Sequence, residues 1–280
     1  MYEVHRRRVT GDVHVVSGCV VFEDRFADAD EPPAWYEDGA DVHSPFNAYV
    51  VDGERTLLYD TLPHNMVEEV HAEVDSILGG RDLDVVVVSH PEAPHGGNAP
   101  ALLETYPEAE LILPSAGSMH DLHVGADEDA FRTVAHRERL DLGDHLVEFH
   151  DPLLFDLAAT VWMYEETTGT LFTSDAYGYP HLERECGQFA EELTDDPNHV
   201  IDRWANFHTT AIPWIEYYDP EKYAVLAENL IEKYDVRTLA PAHGAPATED
   251  ADAYLRGLER SIRTFNETAG EYRGDTQWLL

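Results

Sequence analysis

The sequence predicts an α/β protein, and three stretches carry that prediction. Val85 to Val88 is an unbroken β-branched run, the pattern of a strand buried on both faces, and Gly and Pro punctuation ends it abruptly. Residues 66 to 78 place apolar side chains at helical spacing, and Gly79-Gly80 closes them. Thr238-Leu239-Ala240 is a second short strand, and like the first it runs straight into a loop with a histidine, Pro241-Ala242-His243-Gly244. Rigid strands that hand over to ligand-bearing loops are a common way to build a site.

Taken in order, the chain opens with strand-like runs at Asp12 to Val16 and Cys19 to Phe22, followed by an acidic, loop-like segment over about 23 to 45. Asn47 to Val51 and Arg55 to Asp60 read as a hairpin with Asp52-Gly53-Glu54 as its turn. The strand at Val85 leads into Ser89-His90-Pro91-Glu92-Ala93-Pro94-His95, and a helix then opens with Asn98 as N-cap and Pro100 in its first turn. Strands are expected at 110 to 113, 147 to 149, 160 to 164 and 170 to 175. Helices are expected around 183 to 193, 198 to 214 and 220 to 234, with a last one over about 248 to 269. No internal period or linker stands out, so residues 1 to 280 are read as one domain.

Composition narrows the class. The 280 residues carry 18 Lys+Arg against 56 Asp+Glu, a formal charge of −38, which repels nucleic acid and anionic membrane. The acid is spread along the whole chain without loss of apolar residues, as in proteins of salt-accumulating halophiles. At molar salt the Debye length falls to roughly 3 Å and the self-repulsion is screened. Loss of the circular dichroism signal of the fold in dilute buffer is the expected consequence. No stretch is apolar enough to span a bilayer, and the basic start lacks a signal-peptide core, so a soluble cytoplasmic protein is expected. Two cysteines, Cys19 and Cys186, are too few for a disulfide framework or a thiolate cluster, and each is read as an ordinary semi-buried side chain.

Three strand ends carry the chemistry: the His90/Glu92/His95 loop, Asp175 after the strand Thr170 to Thr173, and His243. Imidazoles with carboxylates and no thiolates suit iron, manganese or zinc. Here the chain resembles the metallo-β-lactamase superfamily and, within it, the β-lactamase-like domain of the flavodiiron proteins. The resemblance runs from Val13 to about Pro246 and rests on Asn47-Ala48-Tyr49, Tyr59-Asp60-Thr61, the His-x-Glu loop, Leu171 to Gly178 with its Ser-Asp-Ala-aromatic-Gly pattern, and Pro241-Ala242-His243-Gly244. It implies a four-layer αβ/βα sandwich with the metals in a cleft at the sheet edges. Carried over residue by residue, it implies His90 and Glu92 as ligands of one iron, His95 and His243 as ligands of the other, and Asp175 as the bridging carboxylate.

Two positions depart from that pattern. Pro94 stands where the family has an aspartate, and Phe155, in Pro152-Leu153-Leu154-Phe155, where it has a histidine. If the segment is extended, side-chain alternation turns His150 and Asp156 away from the face of position 155, so neither replaces the lost imidazole. Each metal position then keeps three protein ligands, and one firmly bound ion ranks ahead of a weakened pair or an empty site. The resemblance implies a homodimer that binds, reduces or senses oxygen or nitric oxide; as no phosphate-cradling Gly/Ser-rich loop follows before Leu280, a separate flavin or iron–sulfur protein is expected as electron donor. A metal-dependent hydrolase of an ester, thioester or lactone is the main rival, and a non-catalytic binding protein the second. His181, just after the Asp175 loop, is a candidate proton donor or supporting residue near the cleft. Trp35, Tyr36 and Tyr177 are candidates for its rim.

Overall fold

The structure is a computed structural model and describes residues 4–23, 26, 32–118, 122, 131–194, 196, 200, 203–204, 207–208 and 211–272. Parts of the acidic segment 23 to 45 and much of the expected helix 198 to 214 lie outside the described residues.

The first sheet runs in the order β1 (Val4–Thr10), β2 (Val13–Phe22), β3 (Val42–Asp52), β4 (Thr56–Tyr59), β5 (Val85–Val87), β6 (Glu110–Leu113) and β7 (Arg132–Thr133). Its first pairings are antiparallel, and β4, β5, β6 and β7 are parallel neighbours. The second sheet holds β8 (Arg139–Asp141), β9 (Leu146–His150), β10 (Trp162–Glu165), β11 (Thr170–Phe172) and β13 (Thr238–Ala240), with β11 parallel to β13. A two-residue strand between them in sequence, β12 (His181–Leu182), crosses back to pair with β3 of the first sheet, His181 opposite His43.

Side-chain alternation sorts each strand between layers. In β5 and the residue after it, Val85 and Val87 point to the layer between the sheets, where they meet Phe149, Met163 and Phe172 of the second sheet. Val86 and Val88 point outward to α1 (Val67–Leu78) and α3 (Ala99–Thr105), packing with Val70, Val74 and Leu102. In the second sheet Trp162 and Leu171 face α5 (Pro220–Lys233) and α6 (Ala251–Tyr272) through Tyr223, Ala227, Leu255 and Leu258. The result is the four-layer α/β sandwich that the sequence led us to expect. Each fully buried aliphatic side chain contributes about 1.5–3 kcal/mol by leaving water, and Leu58→Ala in this core would cost about 2–5 kcal/mol.

The element boundaries differ from expectation in places. Residues 13 to 22 form one strand rather than two, because Ser17 and Gly18 keep their ladder partners Asn47 and Phe46. The helix expected over 183 to 193 is split into a 3₁₀ turn at Glu183–Glu185 and a short α4 (Ala190–Leu193), with Gly187 at positive φ between them. Asn98 does sit at the N-cap of α3, but its side-chain amide does not cap. It donates instead to the carbonyls of Thr61, Leu62 and Pro63, tying the loop after β4 to the site loop.

Candidate metal centre

The C-terminal ends of β5, β11 and β13 deliver one loop each to the same place, with His90 after β5, Asp175 after β11 and His243 after β13. Binding at the carboxyl ends of parallel strands is the general habit of α/β sheets. His95 follows on α2 (Ala93–Gly96), a single turn opened by Pro94. The backbone is forced into left-handed conformations beside the site, at Asp60 (φ 64) and Ser174 (φ 51), a strain that a protein retains where the surrounding structure over-determines it.

One oxygen lies at the middle. Asp175 Oδ1 is 3.1 Å from His95 Nε2, 3.3 Å from His243 Nε2 and 4.0 Å from His90 Nε2. His95 Nε2 and His243 Nε2 are themselves 3.2 Å apart. On the other side of His90, Asp156 Oδ2 lies 3.3 Å and Glu92 Oε2 3.9 Å from its Nε2. Nitrogen and oxygen donors about 2.0–2.2 Å from a shared ion are separated by roughly 3–3.5 Å, so the donor set fits a divalent cation on each side of Asp175. Asp175 Oδ1 and His90 Nε2 are buried and have no hydrogen-bond partner among the described residues, as expected of atoms reserved for an ion.

All three histidines present Nε2 to this centre because Nδ1 is held elsewhere. His95 Nδ1–H donates to Asp60 at 2.8 Å, and Asp60 is fixed in turn by the Ser89 amide and hydroxyl. His243 Nδ1–H donates to the Pro45 carbonyl at 2.9 Å. His90 Nδ1 lies 3.0 Å from the Ser174 hydroxyl. Such partners fix the tautomer and the ring orientation of metal-binding histidines. Gly244 allows the approach, since a Cβ there would come within 2.8 Å of the Tyr177 carbonyl.

The charges favour a cation. Burial opposes ionisation of Asp175, but His243, His95 and His90 hold its carboxyl well below the usual range. Burial likewise pulls His95 down, and the carboxylates of Asp60 and Asp175 outweigh it, holding the imidazolium well above the ordinary histidine value. Asp156 is pushed up, first by burial and then by Asp175, against the pull of His90.

The five residues singled out in the sequence, His90, Glu92, His95, Asp175 and His243, therefore come together, and the position of Asp156 corrects the sequence reading. Residues 151 to 161 form no strand, so the alternation that turned Asp156 away does not apply. Phe155 packs its ring edge-on to Tyr218, and its carbonyl accepts from Trp214 Nε1. One residue after Phe155, the Asp156 carboxylate comes to the side of His90 and Glu92. For Pro94 the geometry above offers no such additional donor.

His181 departs from expectation as well. Its Nε2 lies against the sulfurs of Cys19 and Cys186, in a second cluster. Of the candidate rim residues, Tyr177 is buried with its hydroxyl 2.6 Å from that of Tyr223, and Trp35 and Tyr36 pack edge-on with Phe26. A residue not anticipated is His208. It is fully buried, and neither ring nitrogen has a hydrogen-bond partner among the described residues. Burial pushes its pKa down to about 3, against a weaker upward pull from Asp175. The neighbouring Phe207 ring sits 5.1 Å from that of His243.

Comparison with known proteins agrees with this architecture. The chain is 23% identical over 239 residues to the nitric oxide reductase of Moorella thermoacetica, covering 84% of this chain and 57% of that protein. It superposes on rubredoxin oxygen:oxidoreductase from Desulfovibrio gigas with a TM-score of 0.71 at 19% identity, over 95% of this chain and 62% of the other. A 1–254 fragment of putative diflavin flavoprotein A 5 from Nostoc sp. gives a TM-score of 0.70 at 18% identity, over 97% of this chain and 100% of the fragment. The chain thus spans a little over half the length of the Moorella relative. The model of the ODP family beta lactamase matches residues 45–244, a span that contains every donor at the centre. With the two sheets, the three loops and that match in hand, the chain belongs to the ODP family of metallo-β-lactamase-like domains.

Proposed function

We propose that the residues around Asp175 hold a pair of non-haem iron ions, and that the protein reduces or senses oxygen or nitric oxide with electrons from a separate donor. In this reading His90, Glu92 and Asp156 hold one ion, His95 and His243 the other, and Asp175 is shared. An iron pair bound there supplies redox equivalents and a Lewis-acidic contact for a small diatomic molecule. The observation that carries the reading is the placement of one unpartnered, buried carboxylate oxygen among three imidazole Nε2 atoms with acidic donors on one flank. The names of two relatives, nitric oxide reductase and rubredoxin-oxygen oxidoreductase, point the same way.

The burial of the site favours a diatomic over a bulky ester or lactone. The side chains of His90, His95, Asp156, Asp175 and His243 are at most 5% exposed, and Glu92 alone reaches solvent, at 50%. Water exclusion also strengthens each electrostatic contact inside. His208 is neutral under ordinary conditions and has its hydrogen-bonding capacity free among the described residues. In this reading a ring N–H of His208 would serve as a hydrogen-bond donor to a small ligand.

Anaerobic reconstitution with ferrous iron, followed by oxygen or nitric oxide and a chemical reductant, tests this. Consumption of the gas that disappears in Asp175→Ala is the expected result. Zinc at these residues together with EDTA-sensitive ester hydrolysis would transfer the protein to the hydrolases.

A further inference from the structure

A second group of donors lies on the far side of the Pro45 contact. Cys19 comes from β2, His43 from the start of β3, His181 from β12 and Cys186 from the end of the 3₁₀ turn that follows it. The Cys19 and Cys186 sulfurs are 3.3 Å apart, too far for a disulfide bond, which measures about 2.05 Å. His181 Nε2 lies 3.5 Å from Cys19 Sγ and 3.3 Å from Cys186 Sγ. His43 Nδ1 is 3.2 Å from Cys186 Sγ. One donor atom from each of the four lies within 4.8 Å of the others.

These separations are those of a small tetrahedron. Zinc binds thiolate at about 2.3 Å and imidazole at about 2.0–2.1 Å, which at tetrahedral angles sets sulfurs roughly 3.8 Å apart and sulfur and nitrogen roughly 3.5 Å apart. Four protein donors, two of them soft, leave no position for water or substrate, and that is the character of a structural zinc site. Cys19, His43 and His181 are buried, Cys186 is half-buried, and the imidazoles of His43 and His181 stack with centroids 6.1 Å apart. The supports are built in as well. Glu185, next to Cys186, accepts from the Leu182 amide and forms a buried ion pair with Arg203.

We propose that Cys19, His43, His181 and Cys186 form a structural zinc site that clips the return strand β12 onto β2 and β3. The clip would act on the neighbouring centre without touching it. The segment it holds continues from His43 to Pro45, whose carbonyl orients His243, and to Asn47, whose amide donates to the carbonyls of Pro241 and Gly244. This site stands independently of the iron reading, and it changes how a metal analysis is interpreted. About one zinc per chain is expected here whatever metal sits at Asp175.

The test is metal content by plasma mass spectrometry, with zinc-edge X-ray absorption, on protein prepared under reducing conditions and supplied with zinc and iron. The expected result is about one zinc per chain with two sulfur and two nitrogen neighbours at about 2.3 and 2.0–2.1 Å. In Cys19→Ser/Cys186→Ser that zinc is lost and the iron content is retained. A wild-type spectrum without sulfur neighbours, or a reduced wild-type protein that takes up no zinc, would overturn the proposal. The wild-type spectrum decides the matter even if the double variant fails to fold. So would finding Cys19 and Cys186 joined as a disulfide in the protein as purified under reductant.

Discussion

The two sides of the Asp175 carboxylate are built differently. On the His95/His243 side both rings are locked from behind, by a buried carboxylate and by a main-chain carbonyl. On the His90 side the ring leans on serine hydroxyls, Glu92 is half exposed, and Asp156 sits in a loop, accepting from the Thr160 hydroxyl at 3.3 Å and from the Leu157 backbone. Donor number runs the other way. Apart from Asp175, the His90 side brings together three donors, His90, Glu92 and Asp156, and the other side two, His95 and His243, with Pro94 contributing none. Ligand count and ligand anchoring are therefore separate ways to hold an ion, and this molecule divides them between two halves of one centre.

The comparison breaks most completely if the shared oxygen is removed. Asp175→Ala should lose both ions, leaving iron near zero by plasma mass spectrometry while the circular dichroism spectrum keeps the wild-type shape. Removing one half should leave the other: His243→Ala should retain about one iron, held by His90, Glu92, Asp156 and Asp175, and an empty protein would show that the halves do not bind independently. A smaller effect is expected behind the ligands. Asp60→Asn removes the charged acceptor of His95 Nδ1–H, and loss of such a partner typically costs 10–100-fold in metal affinity, to be read in a competitive chelator titration. His208→Phe should keep full iron content and lower turnover modestly, through loss of a neutral ring N–H that hydrogen-bonds a ligand; unchanged turnover would confine His208 to packing. Smallest of all, Phe155→His should leave iron content unaltered, because position 155 faces Tyr218. A gain of iron there would return the missing donor to position 155 and contradict the role given to Asp156.

The parts of the molecule that the sequence made readable are those where short-range patterning and function coincide. Val85 to Val88 and Thr238 to Ala240 are short runs, β-branched at four and one positions and closed by Pro or Gly nearby, which read as buried strands, and the polar residues just beyond them, His90 and His243, stand out for that reason. Asp175 follows β11 in the same way. Asp156 is hidden in the sequence because side-chain alternation holds only in a strand, and residues 151 to 161 form none, so backbone direction there is set by tertiary packing rather than by local period. The cysteine and histidine cluster was hidden for a different reason. Its members stand at 19, 43, 181 and 186, and only the return of β12 to β3 brings them together. Two cysteines counted along a sequence are too few for a metal site, while two cysteines counted in space with two imidazoles are enough. His208 gave no signal, since a lone histidine in an apolar helical stretch reads as core.

The claim that Asp156 restores a two-ion centre is tested most directly by iron stoichiometry in the reconstituted wild-type protein, read together with its Mössbauer spectrum. About two iron ions per chain, magnetically coupled through a shared carboxylate, is the result this account predicts. A single isolated iron per chain, with any further metal confined to zinc on sulfur, would contradict it and leave only the His95, His243 and Asp175 half as a binding site.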